Sequence, residues 1–232
     1  MPAKKLNMSK TLRIALHWAG SGLAVAGILF VGLRLYTYGH DLDFPSIALL
    51  DWSLIALLAV IYGAANFLLA LSWWHLLRHF RAFESRSIAM KIYGISQLAK
   101  YIPGNIFHLG GRQALGMSAG IPSGVLAKSM LLELGLIAVA GALFGWLLLP
   151  RLLPDFPLLA CVLLMLASFA LVAGLLHTFV GVQTAVALVY QVIFLLISSG
   201  VFVALLELIA GYGMTDIQHW IFIGGAYVVA GL

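Results

Sequence analysis

Apolar residues in this chain come in long unbroken runs, not at alternating positions. Such runs cover 14–33, 52–74, 124–149, 157–176 and 184–209, and a last one starts at Ile217 and continues to Leu232. A helix of about 20 apolar residues spans the ~30 Å hydrocarbon layer of a bilayer. The pattern therefore predicts an all-α polytopic membrane helical bundle with about six spans. Small residues recur at helical spacing: Gly20, Ala24 and Gly27 in the first run, Gly135, Ala138, Ala142 and Gly145 in the third. Stripes of this kind let helix backbones approach closely in lipid. They predict tight packing within one bundle, with a homo- or hetero-oligomer interface as the alternative use.

The pattern breaks between the second and third long runs, from Ser87 to Gly124. A helix over 88–102 would be only about 22 Å long, too short to cross. Tyr93, Ser96, Gln97 and Lys100 form a polar stripe on it, opposite Ile92, Ile95, Ala99 and Ile102. Pro103-Gly104 then breaks the helix, because proline disfavours helical geometry in the residue before it and glycine permits the turn. Asn105 is a suitable N-cap for a second short helix over about 106–116, with Gly104, His108 and Arg112 along one side. The pair reads as a re-entrant broken-helix hairpin at about 88–116, entering and leaving on the cytoplasmic side. Two amphipathic helices lying flat in the interface are the alternative.

Composition excludes a soluble domain: 63% of residues are hydrophobic and 9% charged, against about 25% charged in soluble proteins. The net charge of +5 could suggest nucleic acid, but its distribution argues otherwise. With a cytoplasmic N-terminus, Lys4, Lys5, Lys10 and Arg13 and the basic residues from Arg78 to Lys128 all fall inside, while Arg34 and Arg151 fall outside with Asp41, Asp43, Asp51, Asp155 and Asp216. That bias is the positive-inside rule, and it predicts an inner, cell-membrane protein with no nucleic-acid partner. Trp52, Trp146 and Trp220 at outer ends, with Trp73 and Trp74 at an inner end, fit an aromatic belt. The first run is too long for a signal peptide and reads as a retained anchor. Residues 1–232 read as a single integral membrane domain, and Cys161, the one cysteine, excludes an intrachain disulfide.

The segment Lys100-Tyr101-Ile102-Pro103-Gly104-Asn105, with His108 and Gly111-Arg112, then Gly120-Ile121-Pro122 and Ser129 through Glu133, resembles the flippase-like transmembrane domain of lysylphosphatidylglycerol synthases and related inner-membrane proteins. The specific likeness covers some 35 residues. It implies a bundle of about eight helices without a soluble catalytic part, which moves a charged lipid between leaflets. Members of that family continue into a second Pro-Gly-rich segment containing Gly-Arg-Glu. The expectation is thus a chain truncated at its C-terminus.

Among single residues Arg112 is the strongest candidate, since a guanidinium grips phosphate in two places. Lys100 adds a mobile charge and the free N–H groups of the second short helix an anion site. Both cations would serve equally to anchor the hairpin to inner-leaflet phosphates. Glu133, well inside the third run, requires a partner; Arg112, Lys128 or Ser129 are within reach by sequence, and a fixed ion pair or a protonated acid is the alternative. The expected lipid-binding set is Lys100, Tyr101, Asn105, His108, Arg112 and Glu133, with Pro103 and Gly104 making the break. His75 and His79, at i and i+4, lack the further ligands a metal needs, and no cofactor is called for. The function expected is translocation of a phosphate-bearing lipid, not an enzyme. The alternatives are a membrane enzyme acting on a lipid-linked phosphate and a non-catalytic partner subunit or remnant.

Overall fold

The computed structural model describes residues 10–39, 49–82, 85–101, 107–210 and 217–231. Every regular element among them is helical, so the fold is all-α. The helices are α1 (Lys10–Gly39), α2 (Leu49–His79), α3 (Arg86–Leu98), α4 (Phe107–Ser118), α5 (Ser123–Phe144), α6 (Leu149–Leu152), α7 (Leu158–Leu175), α8 (Val182–Ala210) and α9 (Ile217–Ala230). Short 3-10 turns occupy Ala99–Tyr101 and Gly145–Leu148, and Leu176–Val180 widens into a π turn. Five stretches, Lys10–Arg34, Leu50–His79, Ser123–Leu152, Leu158–Val180 and Val182–Ile209, are long and apolar enough to cross a membrane. The sixth run expected from the sequence forms a helix of 14 residues, about 21 Å at 1.5 Å per residue and thus short of a crossing.

Large apolar side chains face outward on these helices: Leu159 is 70% exposed and Leu171 63%. In α7 only Cys161 is buried. Water would not tolerate so continuous an apolar surface, whereas acyl chains solvate it.

The chain divides into two compact units, Met1–Ser46 with Trp73–Leu132, and Ile47–Ser72 with Glu133–Leu232. In the first unit, α1 carries the hairpin. A Cβ added at Gly27 would coincide with the backbone carbonyl of Leu98, and one at Gly20 would lie 2.6 Å from Leu115 Cγ and 3.1 Å from the Gly111 carbonyl oxygen. Ala24 between them is buried. The small-residue face of α1 is therefore occupied within the chain by α3 and α4. Those of α5 differ: Gly135, Ala138 and Ala142 are exposed, and a Cβ at Gly135 would meet nothing.

Ser85 caps α3, its hydroxyl accepting from Ile88 N–H. Of the polar stripe on α3, Tyr93 and Ser96 are buried, as are Ile92 and Ala99 of the face opposite, while Ile88, Ile95 and Leu98 are exposed. Where the solvent is lipid, apolar side chains take the outer face and small polar ones the protein interior. Chain reversal between α4 and α5 uses Gly120-Ile121-Pro122. Gly120, at φ 92°, donates its N–H to the Met117 carbonyl while Ile121 N–H reaches back to Gly116. This double closure needs a left-handed residue at Gly120, and Pro122 then starts the next helix.

In the second unit polar contacts join apolar helices. Ser72 Oγ donates to the Ala187 carbonyl at 3.1 Å, Ser198 Oγ and Tyr227 Oη share a hydrogen bond of 3.1 Å, and the rings of Phe202 and Tyr227 stack at 4.3 Å. Each such bond between helices in a membrane contributes roughly 0.6 kcal/mol.

Candidate functional site

Arg112 sits one turn beyond His108 on α4 and is only 1% exposed. Its guanidinium carbon lies 4.0 Å from the ring centroid of Tyr93 on α3 and 5.3 Å from that of Trp73 on α2. The two rings are themselves 6.1 Å apart and tilted by 47°. Trp73 is fixed at its other edge, where Nε1–H donates to Ser129 Oγ at 3.1 Å, and the Ser129 hydroxyl donates in turn to the Leu126 carbonyl. A planar cation against aromatic faces gains from the ring quadrupoles, most where water is excluded. The guanidinium is thus enclosed, with two aromatic rings among its neighbours. Trp73 is no membrane-belt residue, as its position in the sequence implied, but is fully buried.

Toward the start of α4, charge accumulates. Lys100, in the 3-10 turn after α3, is exposed, and His108 is half-buried. Burial first, then the charges of Arg112 and Lys100, push the His108 imidazole down from 6.5 to about 4. Its Nδ1 is buried and finds no hydrogen-bond partner within the described chain. Three basic groups from two segments therefore act on one another where the helix begins.

That arrangement fixes the sign of a pH effect. The unfolded chain protonates His108 near pH 6.5 and the folded one only near 4, so the contribution of this group to stability is complete above about 6.5 and is lost as the pH falls toward 4. Discounted for solvent screening, the loss is about 1 kcal/mol, or about 2–4 °C in Tm. Comparing melting in detergent at pH 7.5 and 4.5, His108→Gln should show a smaller acid-induced drop than the wild type by that amount. An identical drop in both would show that the imidazole does not sense its neighbours.

Of the other expected site residues, Pro103, Gly104 and Asn105 lie outside the described residues, so the break and the cap are not described; the same holds for the side chain of Tyr101. Glu133 falls in the second unit. It is 8% exposed, and Gln191 Nε2–H of α8 reaches its backbone carbonyl at 3.4 Å. Ser129, expected to support that carboxylate, donates its one hydroxyl hydrogen bond to the Leu126 carbonyl instead. Lys128 is exposed. His75 and His79 make edge-on contacts with their neighbours Trp74 and Phe80 at 4.9 Å. Sequence reading missed Trp73 and Tyr93 as the platform for Arg112, and Gln191 as a fully buried amide. The only signal available for them was a polar or aromatic residue on an otherwise apolar face.

Comparison with family models, with curated proteins and with solved structures found no match.

Proposed function

We propose that this multi-pass membrane protein binds the phosphate of a lipid headgroup where α4 begins and moves that headgroup between leaflets. One observation carries the reading: His108 Nδ1 is buried without a hydrogen-bond partner among the described residues, in a setting where burial first, then the charges of Arg112 and Lys100, disfavour its protonation. Positive charge beside an unsatisfied imidazole suits an anion. A phosphate offers acceptor oxygens to all three, and broken-helix sites in transporters take anionic groups in this way. The exposed apolar edge of α3, Ile88, Ile95 and Leu98, supports a hairpin lying against acyl chains, so that headgroup and tail are served side by side. The resemblance of Lys100 to Asn105, His108, Gly111 and Arg112 to the flippase-like domain of lysylphosphatidylglycerol synthases points the same way. The distribution of basic residues supports an inner, cell membrane with the N-terminus in the cytoplasm.

The test is a vesicle assay. Purified protein is reconstituted with a fluorescent phospholipid, and a membrane-impermeant quencher reports how fast inner-leaflet probe becomes accessible. Wild-type protein should accelerate exchange of an anionic lipid over a neutral glycolipid. Lys100→Glu, which reverses a charge at the site, should slow it roughly tenfold or more. Equal rates for Lys100→Glu and wild type would rule the reading out.

A further inference from the structure

A cavity of about 350 Å³ opens in the second unit, beside the first turns of α9. Its origin is local. The helix of α5 tightens at Gly145–Leu148, and α6 restarts with Pro150 in its first turn, where a missing N–H does no harm. The backbone of α9 is pressed against this stretch at Gly225, whose added Cβ would lie 3.1 Å from Leu147 Cβ and 3.5 Å from the Phe144 carbonyl oxygen. One to two turns nearer the start of α9 the gap opens. Leu147, Leu158 and Phe222 give it an apolar lining, and Arg151, Gln218 and His219 stand among the lining residues with polar ends.

Two features select an occupant. The neighbouring Leu152, Leu153 and Leu159 are 53–74% exposed, so the cavity adjoins apolar surface that acyl chains cover. Among its described lining residues there is no carboxylate to set against the Arg151 guanidinium. The volume falls within the ~300–1,000 Å³ of small-molecule sites, enough for a headgroup and the first part of one chain. We propose that this cavity is a binding site for an anionic amphiphile, its carboxylate or phosphate gripped by Arg151 with Gln218 and His219, its chain laid along Leu147, Leu158 and Phe222. The site lies in the second unit and does not depend on the lipid-translocation reading.

Photo-crosslinking of the full chain in non-ionic detergent tests it, with three diazirine-bearing probes: a fatty acid, its methyl ester and a lysophosphatidic acid. The peptides holding residues 147–158 and 218–223 should take up the acid or the phosphate probe about tenfold more than the ester, as an ion pair with arginine implies. Arg151→Ala should abolish that preference, Arg151→Lys should keep part of it, and Ile223→Trp, which fills the cavity, should remove labelling by all three. Lys100→Glu should change nothing. The stronger of the two anionic probes identifies the headgroup class. Equal labelling by acid and ester, an unaltered preference in Arg151→Ala, complete competition by inorganic phosphate, or loss of labelling in Lys100→Glu would each overturn the proposal.

Discussion

Gly27→Leu should unfold the first unit, whereas Gly22→Leu on the same helix should leave the protein as stable as before or more so. The difference comes from what a side chain meets. At Gly27 even a Cβ collides with the Leu98 carbonyl, a backbone atom that no rotamer change removes; at Gly22 it meets nothing. Overpacking against movable side chains costs about 1–3 kcal/mol. A collision with backbone at the seat of α3 exceeds that range, because the hairpin must lift from α1 and give up the contacts of Gly20 with Leu115 and Gly111 as well. Leucine at the exposed Gly22 position replaces a poor helix former, with a gain of up to about 1 kcal/mol. Thermal unfolding followed by size-exclusion chromatography in detergent should separate the variants: loss of the monodisperse peak for Gly27→Leu, wild-type or higher Tm for Gly22→Leu. Equal midpoints would mean that α1 does not hold the hairpin. Gly27→Ala should fall between them, nearer to the leucine variant.

The contrast between these two glycines shows what a single sequence reveals and what it withholds. Run length predicted the five long spans within a few residues, because only a helix of that length satisfies its own backbone across a hydrocarbon layer. The α1 stripe of Gly20, Ala24 and Gly27 was legible for the same kind of reason. Which apolar surface faces protein and which faces lipid was not legible, since both solvents reward the same side chains. Trp73 thus read as a belt residue and proved to be buried. His108 and Arg112, four residues apart, are neighbours on any helix and could be paired from sequence. Tyr93 and Trp73 could not be assigned to Arg112, because each comes from a different helix and only tertiary packing joins them.

That packing leads to the second large effect: Arg112→Lys, which keeps the charge, should fail to keep the function. A flat guanidinium lies over Tyr93 with its carbon 4.0 Å from the centroid; a lysine ammonium is a strongly hydrated point on a flexible stem and holds no plane against a ring. In a water-excluded setting the stacking is worth about 2 kcal/mol. Arg112→Lys should therefore lower stability by 1–2 kcal/mol and slow lipid exchange roughly tenfold in the vesicle assay. Tyr93→Leu alone should do much the same. Combined with Arg112→Lys it should add little, and that non-additivity of about 1–2 kcal/mol measures the contact. Full rescue of exchange by lysine would reduce Arg112 to a source of positive field, felt by His108 but never by a headgroup. Failure of lysine in the single variant, with normal folding and an unchanged acid-induced drop in Tm, would instead require the planar fork itself. An arginine that served only to pack against its neighbours has no need of that fork when a phosphate arrives; one that offers its N–H groups to the phosphate does.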